Sequence, residues 1–282
     1  MPAPLAHPAA VLSLRRFCPK YLSFSALVMG SFLPDVAYAL HFGGSFRKLI
    51  TFVFGQRGLD SLAQHGVRSW DGLSHSLLGA VVFCLPVGLL LSAAFRVTRS
   101  ALVATVPNPH RELLTPLCGH KRHSVLTWSM SLLIGVYSHL AWDSLAKGDW
   151  WLAKNWPFLR EDVMDVGASH LEVYRAIWII STIGGTSALV IAYVSWVRGK
   201  GRKFWKFDQE EAPYLSLWLG AALFSILLPV GFFMRHRHVD VSFRGLYYLF
   251  HGFYAVSLVV FSCCVVAIAL VSMLRRARSV PR

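Results

Sequence analysis

The sequence predicts an all-α, polytopic membrane protein with about six transmembrane helices, and three observations support this class. Of the 282 residues, 55% are hydrophobic and 15% are charged, whereas a soluble domain usually carries about 25% charged residues. The mean hydropathy is +0.50. Several apolar runs approach or exceed the roughly 20 residues that a helix needs to cross a bilayer. We therefore expect one integral membrane domain over residues 1–282.

The N-terminal region contains apolar segments that are weaker candidates for crossing. Residues 5–14 are too short to span a bilayer, so they predict a short interfacial helix or a re-entrant segment. Pro8 suits the first turn of such a helix. The run from Leu22 to His41 is longer, but Pro34 and Asp35 are expected to end or kink it. Residues 42–74 predict a loop with partial helix.

The remaining apolar runs are stronger candidates. Five are predicted to cross the membrane: Leu77–Phe95, Val125–Leu145, Val173–Val197, Tyr214–Met234 and Leu246–Leu274. Residues 96–124 predict a basic, irregular loop. Residues 146–172 are rich in tryptophan, which is typical of the membrane–water interface. Together with the run from Leu22 to His41, these five runs make up the six predicted transmembrane helices.

Positive charge is arranged in a way that indicates topology. The formal net charge is +14, which on its own would also fit nucleic-acid binding. However, the basic residues lie in short loops beside apolar runs, and this arrangement is explained by the positive-inside rule. We therefore expect no nucleic-acid partner. Loops 96–124 and 198–213 and the C-terminus should be cytoplasmic, in a bacterial inner membrane.

A histidine and an aspartate in the run from Val125 predict a polar site. His139 and Asp143 are four residues apart, so on a helix they share one face. Both groups are costly inside a membrane unless they are paired, hydrated or metal-bound. The predicted topology brings Asp35 and His75 to the same layer. Imidazole and carboxylate ligands together suit zinc, manganese or iron.

The spacing of the residues does not decide two features of this site, namely the role of the His139–Asp143 pair and the place of His7. The His139–Asp143 pair could instead be a hydrogen-bonded structural pair between helices. His7 lies on the opposite side by a simple count of spans, and it can join the cluster only if residues 5–14 dip into the membrane or the first long run does not fully cross.

Other histidine-containing segments are weaker candidates for a site. Residues 118–123 have metal-like spacing but are crowded with cations. Residues 236–240 are expected to form a solvated loop. His251 lies within an apolar run and is expected to be a buried hydrogen-bonding residue.

Four short motifs occur in order along the first 160 residues. They are Ala6-His7-Pro8, Phe32-Leu33-Pro34-Asp35, Leu73-Ser74-His75-Ser76-Leu77-Leu78 and Tyr137-Ser138-His139-Leu140-Ala141-Trp142-Asp143. This order resembles that of the predicted inner-membrane metal-dependent hydrolases. The N-terminal segment at residues 5–9 is more similar still to an allied bacterial group, domain-of-unknown-function family 4184.

The resemblance implies one metal-binding cluster made of His7, Asp35, His75, His139 and Asp143. It divides the domain into a metal-cluster half over about residues 1–160 and additional helices over about 173–274. The hydrolases typically read Pro-Asp-x-Asp-His and His-Arg-Gly, where this chain has residues 34–38 as PDVAY and residues 70–72 as WDG. Since a carboxylate and two histidines are missing, we expect one metal ion and not two.

The expected function is a membrane-embedded metal-dependent hydrolase, with zinc as the expected ion. Metal-activated water would attack an ester or phosphoester, with a lipid or lipid-linked molecule as the natural substrate at that depth. Asp35 and Asp143 are the expected catalytic carboxylates, as general base or as a group that orients a histidine. The alternatives are a non-catalytic protein with a structural metal site or polar helix clamp, and a small-ion transporter. The expected partners are membrane lipids.

Overall fold

The part of the chain that the structure describes is mostly helical and includes a small two-stranded sheet. The structure is a computed structural model, and it describes residues 6–17, 21–37, 45–64, 67, 69–119, 123–148, 150–166, 169–201, 209–235, 256–257 and 260–274. It divides into two compact units. The first contains residues 1–92 and 123–190, and the second contains residues 93–122 and 191–282. Each unit is described by itself.

The helices and strands are named in chain order. The N-terminal helices are α1 (Pro8–Phe17), α2 (Phe24–Gly30), α3 (Leu33–Val36), α4 (Ser45–Gln64), α5 (Trp70–Ser74) and α6 (Leu77–Gly79). A π-helical turn, Ala80–Cys84, joins α6 to α7 (Leu85–Val103). After these come α8 (His110–Leu114), α9 (Val125–Ala146), α10 (Trp151–Asn155), β1 (Asp162–Val166), β2 (Ser169–Glu172), α11 (Val173–Gly199) and α12 (Ala212–Arg235). A last apolar helix is Val260–Leu274.

Four helical stretches within the described residues are long and apolar enough to cross a membrane, which indicates a membrane protein. They are Leu77–Val103, Val125–Asn155, Val173–Gly199 and Gln209–Leu228. They correspond to four of the six predicted crossings. The predicted crossing at Leu246–Leu274 lies partly outside the described residues, and its described part is the shorter helix Val260–Leu274.

The run from Leu22 to His41 does not form one helix over its described part. The backbone breaks after Gly30, where Ser31 and Phe32 separate α2 from α3. The physical reason is Pro34, because it has no N–H to donate to the carbonyl of Gly30 four residues earlier. The break frees backbone carbonyls for other partners.

Helix α9 packs closely against α2 because two glycines lie at the contact. A Cβ atom on Gly30 would lie 2.2 Å from the carbonyl oxygen of Leu132, and one on Gly135 would lie 2.3 Å from that of Leu27. Both distances are far below van der Waals contact. The small residues therefore let the two backbones approach, as small residues commonly do between membrane helices.

Hydroxyl groups add polar ties in the same region. The backbone N–H of Ser23 donates to Ser131 Oγ on α9 at 2.9 Å. The indole N–H of Trp128 donates to Ser92 Oγ at 2.7 Å, and Ser92 Oγ donates to the Gly88 carbonyl at 2.6 Å. These hydrogen bonds tie α9 to the segment before α2 and to α7.

The segment after α9 contains a feature that the sequence did not predict. Residues 146–172 were expected to form a tryptophan-rich interfacial belt, and Trp151 and Trp156 are indeed mostly exposed. The chain there also forms an antiparallel hairpin from β1 and β2, with Val166 paired to Ser169. The helical part of residues 96–124 was also underestimated, since α7 continues to Val103 and α8 follows it.

The second unit is held by a polar network around one carboxylate. Glu211 accepts hydrogen bonds from the side chain of Asn108 at 2.9 Å and from Arg111. The Arg111 guanidinium also lies over the ring of Tyr214, 4.4 Å from its centroid. Trp218 on α12 donates to the Thr105 carbonyl at 2.9 Å. These contacts join α12 to the segment between α7 and α8.

The glycine contact makes a testable prediction about stability. Gly135→Ala should destabilise the protein by about 1–3 kcal/mol, because the added methyl group meets backbone that cannot rotate away. Thermal unfolding in detergent measures this effect. Gly184→Ala on α11 is the matched control, since a Cβ there meets nothing within 4 Å. Equal unfolding midpoints for the two variants would contradict the packing argument.

Candidate metal centre

Five side chains from four segments of the first unit converge in the protein interior. They are His7, Asp35, His75, His139 and Asp143, with between 0% and 8% of each residue exposed. Histidine and aspartate are rarely this buried unless they are paired or coordinate a metal. The structure therefore brings together all five residues that the sequence and the resemblance had singled out.

Helix α9 supplies two of these side chains, and a turn supplies the third. His139 and Asp143 lie one turn apart on the buried face of α9. His75 lies between α5 and α6, where the Ser76 hydroxyl caps α6 by accepting a hydrogen bond from the Gly79 N–H at 2.9 Å. Gly79 is required there, because a Cβ would lie 1.7 Å from the Leu73 carbonyl oxygen.

The N-terminal segments supply the other two. Asp35 lies in the first turn of α3, where a carboxylate is favoured by the helix dipole. His7 immediately precedes Pro8, the first residue of α1. The adjacent Ala6 packs against α11 at Gly185, where a Cβ would lie 2.9 Å from that of Ala6. Close packing therefore holds His7 at the cluster.

The Nε2 atoms of His75 and His139 lie at nearly equal distances from each other and from two carboxylate oxygens. The Nε2 atoms of His75 and His139 are 3.4 Å apart. Asp35 Oδ1 lies 3.6 Å from His75 Nε2 and 3.7 Å from His139 Nε2. Asp143 Oδ2 lies 3.6 Å and 3.5 Å from the same two nitrogens. All five distances are too long for ordinary hydrogen bonds, which measure about 2.7–3.2 Å.

The same distances are those expected around a single metal ion. Nitrogen and oxygen ligands bonded at about 2.0–2.2 Å to a tetrahedral zinc lie about 3.3–3.6 Å from each other. Hence five of the six pairs among these four atoms have the spacing of ligands on one ion. Two groups of three residues could each hold an ion, one made of Asp35, His75 and His139 and the other of His7, His139 and Asp143, and the two groups share His139.

The proton of His139 can be placed from its hydrogen bond. Nδ1 of His139 lies 2.8 Å from the carbonyl oxygen of Ser31. A carbonyl oxygen can only accept, so Nδ1 must carry the hydrogen. Nε2 of the neutral ring therefore presents a lone pair to the cluster. The acceptor is one of the backbone groups at the break between α2 and α3.

A hydroxyl fixes His75 in the same way. Ser74 Oγ donates its single hydrogen to the Pro34 carbonyl at 2.9 Å. The same oxygen lies 3.0 Å from His75 Nδ1 and must accept from it. Nε2 of His75 therefore also presents a lone pair. Metal-bound histidines usually donate their other ring N–H to such a partner, which orients the ring.

The cluster consequently consists of acceptors that face acceptors. Two imidazole lone pairs and two carboxylates point at one space, and no proton lies between the two Nε2 atoms in this tautomeric state. Among the described residues, both oxygens of Asp35 and Oδ1 of Asp143 lack a hydrogen-bond partner, whereas Asp143 Oδ2 has the Lys147 ammonium at 3.0 Å. A buried arrangement of this kind is costly unless a cation compensates it. The residues therefore fit a divalent metal ion.

His7 occupies a different position from the other two histidines. Its ring stacks on that of His139, with centroids 3.7 Å apart. Its Nε2 lies 3.5 Å from Oδ1 of Asp143, and His7, His139 and Asp143 form one of the two groups of residues that could hold an ion. Burial, with a smaller contribution from His139, lowers the pKa of His7 to about 3. The imidazole is therefore neutral near pH 7 and can offer a lone pair.

Sequence reasoning missed Lys147. Its ammonium lies 3.0 Å from Asp143 Oδ2 and over the ring of Trp150, 4.5 Å from the centroid. Trp150 in turn meets His75 edge to face at 5.8 Å. The sequence does contain a signal for this ion pair, because Lys147 follows Asp143 by four residues and so lies on the same helix face.

The other candidates do not join this cluster within the described part of the chain. Every group of metal-ligand atoms found there belongs to the five residues above. Cys118 instead approaches the carbonyl of Leu114 in its own helical segment. His120, the 236–240 segment and His251 lie outside the described residues.

The hydroxyl that orients His75 makes a prediction about metal affinity. Ser74→Ala should weaken metal binding about 10–100-fold, because losing such a partner frees the ring and its tautomer. Titration of the purified, metal-free protein with zinc against a competing chelator measures this. Ser138→Ala is the matched control, since that hydroxyl donates only to the Gly135 carbonyl of its own helix. Unchanged affinity in Ser74→Ala would contradict the proposed orientation.

Comparison with known families covers nearly the whole chain. A family model described as a domain of unknown function (DUF4184) matches residues 1–273. Comparisons with curated proteins and with solved structures give no match. The family match carries no link to metal-dependent hydrolases, so that part of the resemblance stays a prediction. The chain belongs to the DUF4184 family.

Proposed function

We propose that this protein is a membrane-embedded metal-dependent hydrolase with one divalent ion, zinc by preference. The ion would be held by Asp35, His75, His139 and Asp143. The observation that carries this proposal is the convergence of His75 Nε2 and His139 Nε2 with Asp35 Oδ1 and Asp143 Oδ2 in a buried space, where five of the six pairs of these atoms lie 3.4–3.7 Å apart. Mixed imidazole and carboxylate ligands suit zinc.

The side chains of the cluster have separate roles in this proposal. When bound, the ion would supply Lewis acidity and lower the pKa of a water molecule. The backbone carbonyl of Ser31 orients His139 by accepting a hydrogen bond from its Nδ1. The hydroxyl of Ser74 orients His75 in the same way. Asp35 Oδ2 and Asp143 Oδ1, the carboxylate oxygens outside the four-atom set, are the candidate proton acceptors.

The substrate is expected to be an ester or phosphoester, and a lipid or lipid-linked molecule suits the location. Four apolar helices indicate a membrane setting, and two of the four ligand residues lie on α9, within one of those helices. A substrate that partitions into lipid would therefore reach the cluster more readily than a molecule restricted to water.

One observation favours a second candidate, a structural metal site. Four protein ligands would leave a four-coordinate zinc ion no position for water, and structural zinc sites are typically closed in this way, whereas catalytic sites keep such a position. A purely hydrogen-bonded clamp is less well supported, because the Nε2 atoms lie 3.5–3.7 Å from the carboxylate oxygens, which is longer than an ordinary hydrogen bond.

Metal binding and hydrolysis are tested together. Purified wild-type protein should contain about one metal ion per chain and hydrolyse at least one member of a panel of lipid esters and phosphoesters. His139→Ala and Asp143→Ala should each lose the metal and at least about 100-fold in rate, because each removes a ligand. Elemental analysis and product detection are the measurements.

The matched control is His110→Ala, since His110 bonds to Tyr193 in the second unit and belongs to no metal-ligand group. This variant should keep the metal and the rate. Wild-type protein that carries metal but hydrolyses nothing in the panel would favour the structural site. Hydrolysis that persists in both ligand variants would overturn the proposed site.

We also propose the orientation that the charged loops predict, in a bacterial inner membrane with loops 96–124 and 198–213 and the C-terminus in the cytoplasm. In a background without the native cysteines, Gly72→Cys should react with an impermeant thiol reagent added to intact cells. Lys121→Cys should react only after the cells are opened. The reverse pattern would overturn the orientation.

A further inference from the structure

We propose that Lys147 and Trp150 form the binding site for a phosphate group of the substrate, beside the metal cluster. This inference rests on the proposed metal site and specifies the class of substrate. It would make the preferred substrate a negatively charged phosphoester and not a neutral carboxylic ester.

The position of Lys147 is the first argument. The residue ends α9 as its C-cap, and its ammonium lies 3.0 Å from the ligand atom Asp143 Oδ2. An anion that contacts this ammonium would therefore lie next to the proposed ion. Lysine is a common binder of phosphate, acting as a compact point charge with three donors.

Exposure gives the direction of approach. The Lys147 side chain is 12% exposed, whereas the five cluster side chains are between 0% and 3% exposed. Lys147 is thus the most accessible charged group at the cluster. A substrate that enters from this side meets the ammonium before it meets the carboxylates.

Trp150 holds the ammonium in this place. The Lys147 ammonium lies 4.5 Å from the centroid of the Trp150 ring, a cation–π contact. The edge of the same ring packs on His75, with the ring planes at 86°. The tryptophan therefore links the lysine to a metal-ligand histidine, and the donor is oriented before the anion arrives.

The charge balance is the second argument. A histidine must be neutral to bind a metal, so with the ion in place the described charges of the protein at the site are those of Asp35, Asp143 and Lys147. Alone they leave one net negative charge. With a divalent ion the site carries one net positive charge, and in a water-poor interior an uncompensated charge is costly. An anionic group bound there would neutralise it, whereas a neutral ester would not.

The test measures phosphate binding without requiring turnover. Cobalt(II) replaces the native ion in detergent-purified protein, and its visible spectrum reports ligands that bind near the metal. Two probes are titrated separately, inorganic phosphate and a short-chain phosphatidic acid. The proteins compared are wild type, Lys147→Gln, Lys147→Arg and the nearby exposed control Lys154→Gln.

We expect Lys147→Gln to bind one cobalt per chain but to weaken binding of phosphate by about tenfold or more, because one charged hydrogen bond is lost. Lys147→Arg should retain most of the affinity, and Lys154→Gln should match wild type. A loss confined to phosphatidic acid would indicate a lipid headgroup, and a loss seen with both probes would indicate a site for phosphate in general.

Two results would overturn the inference. One is cobalt-loaded wild type that binds neither probe. The other is Lys147→Gln that binds both probes as tightly as wild type. Wild-type protein that does not bind cobalt at all would instead contradict the proposed metal site. The phosphate site would then be contradicted as well, because it rests on the metal site.

Discussion

The structure depends on the convergence of two carboxylates and two imidazole nitrogens in one buried space. With neutral rings protonated at Nδ1, the two Nε2 atoms and the carboxylate oxygens that lie 3.4–3.7 Å from them are all acceptors and repel one another. Burial strengthens this repulsion because little water is present to screen it. A cation is the simplest compensation. Lys147 supplies part of it from one side, and a divalent ion would supply the rest.

The backbone around this space is arranged to make that convergence possible. The helix break caused by Pro34 exposes the Ser31 carbonyl, which orients His139. The carbonyl of Pro34 orients His75 through Ser74. Glycines at the α2–α9 contact bring the Ser31 carbonyl within reach of His139 on α9. One proline and two glycines thus contribute to the chemistry although none of them is a ligand.

Local spacing and topology predicted the core of the candidate site. His139 and Asp143 followed from the helical period, and Asp35 and His75 followed from the ends of neighbouring apolar runs. His7 needed the family resemblance, because counting spans placed it on the other side. Such a count assumes that Leu22–His41 crosses as one helix, and the break at Ser31 removes that assumption.

Long-range contacts could not be predicted. Ser31 and His139 are separated by 108 residues, and His75 and His139 by 64, so no local pattern predicts that these residues are in contact. The hairpin of β1 and β2 was also not predicted. A high tryptophan content indicates a segment at the membrane interface, but it does not indicate whether that segment forms strands. The number of crossings was predicted in part, as four spans are found among the described residues.

The dispersion of the cluster along the chain has a consequence for biogenesis. The histidines and aspartates come from segments near residues 7, 35, 75 and 139–143, so a ribosome that has inserted only the first helices holds an incomplete set of ligands. The site closes only after α9 has been synthesised and has packed against α2. Because a metal that binds only the finished arrangement also stabilises it, metal supply would act as a late checkpoint on maturation of the membrane-inserted chain.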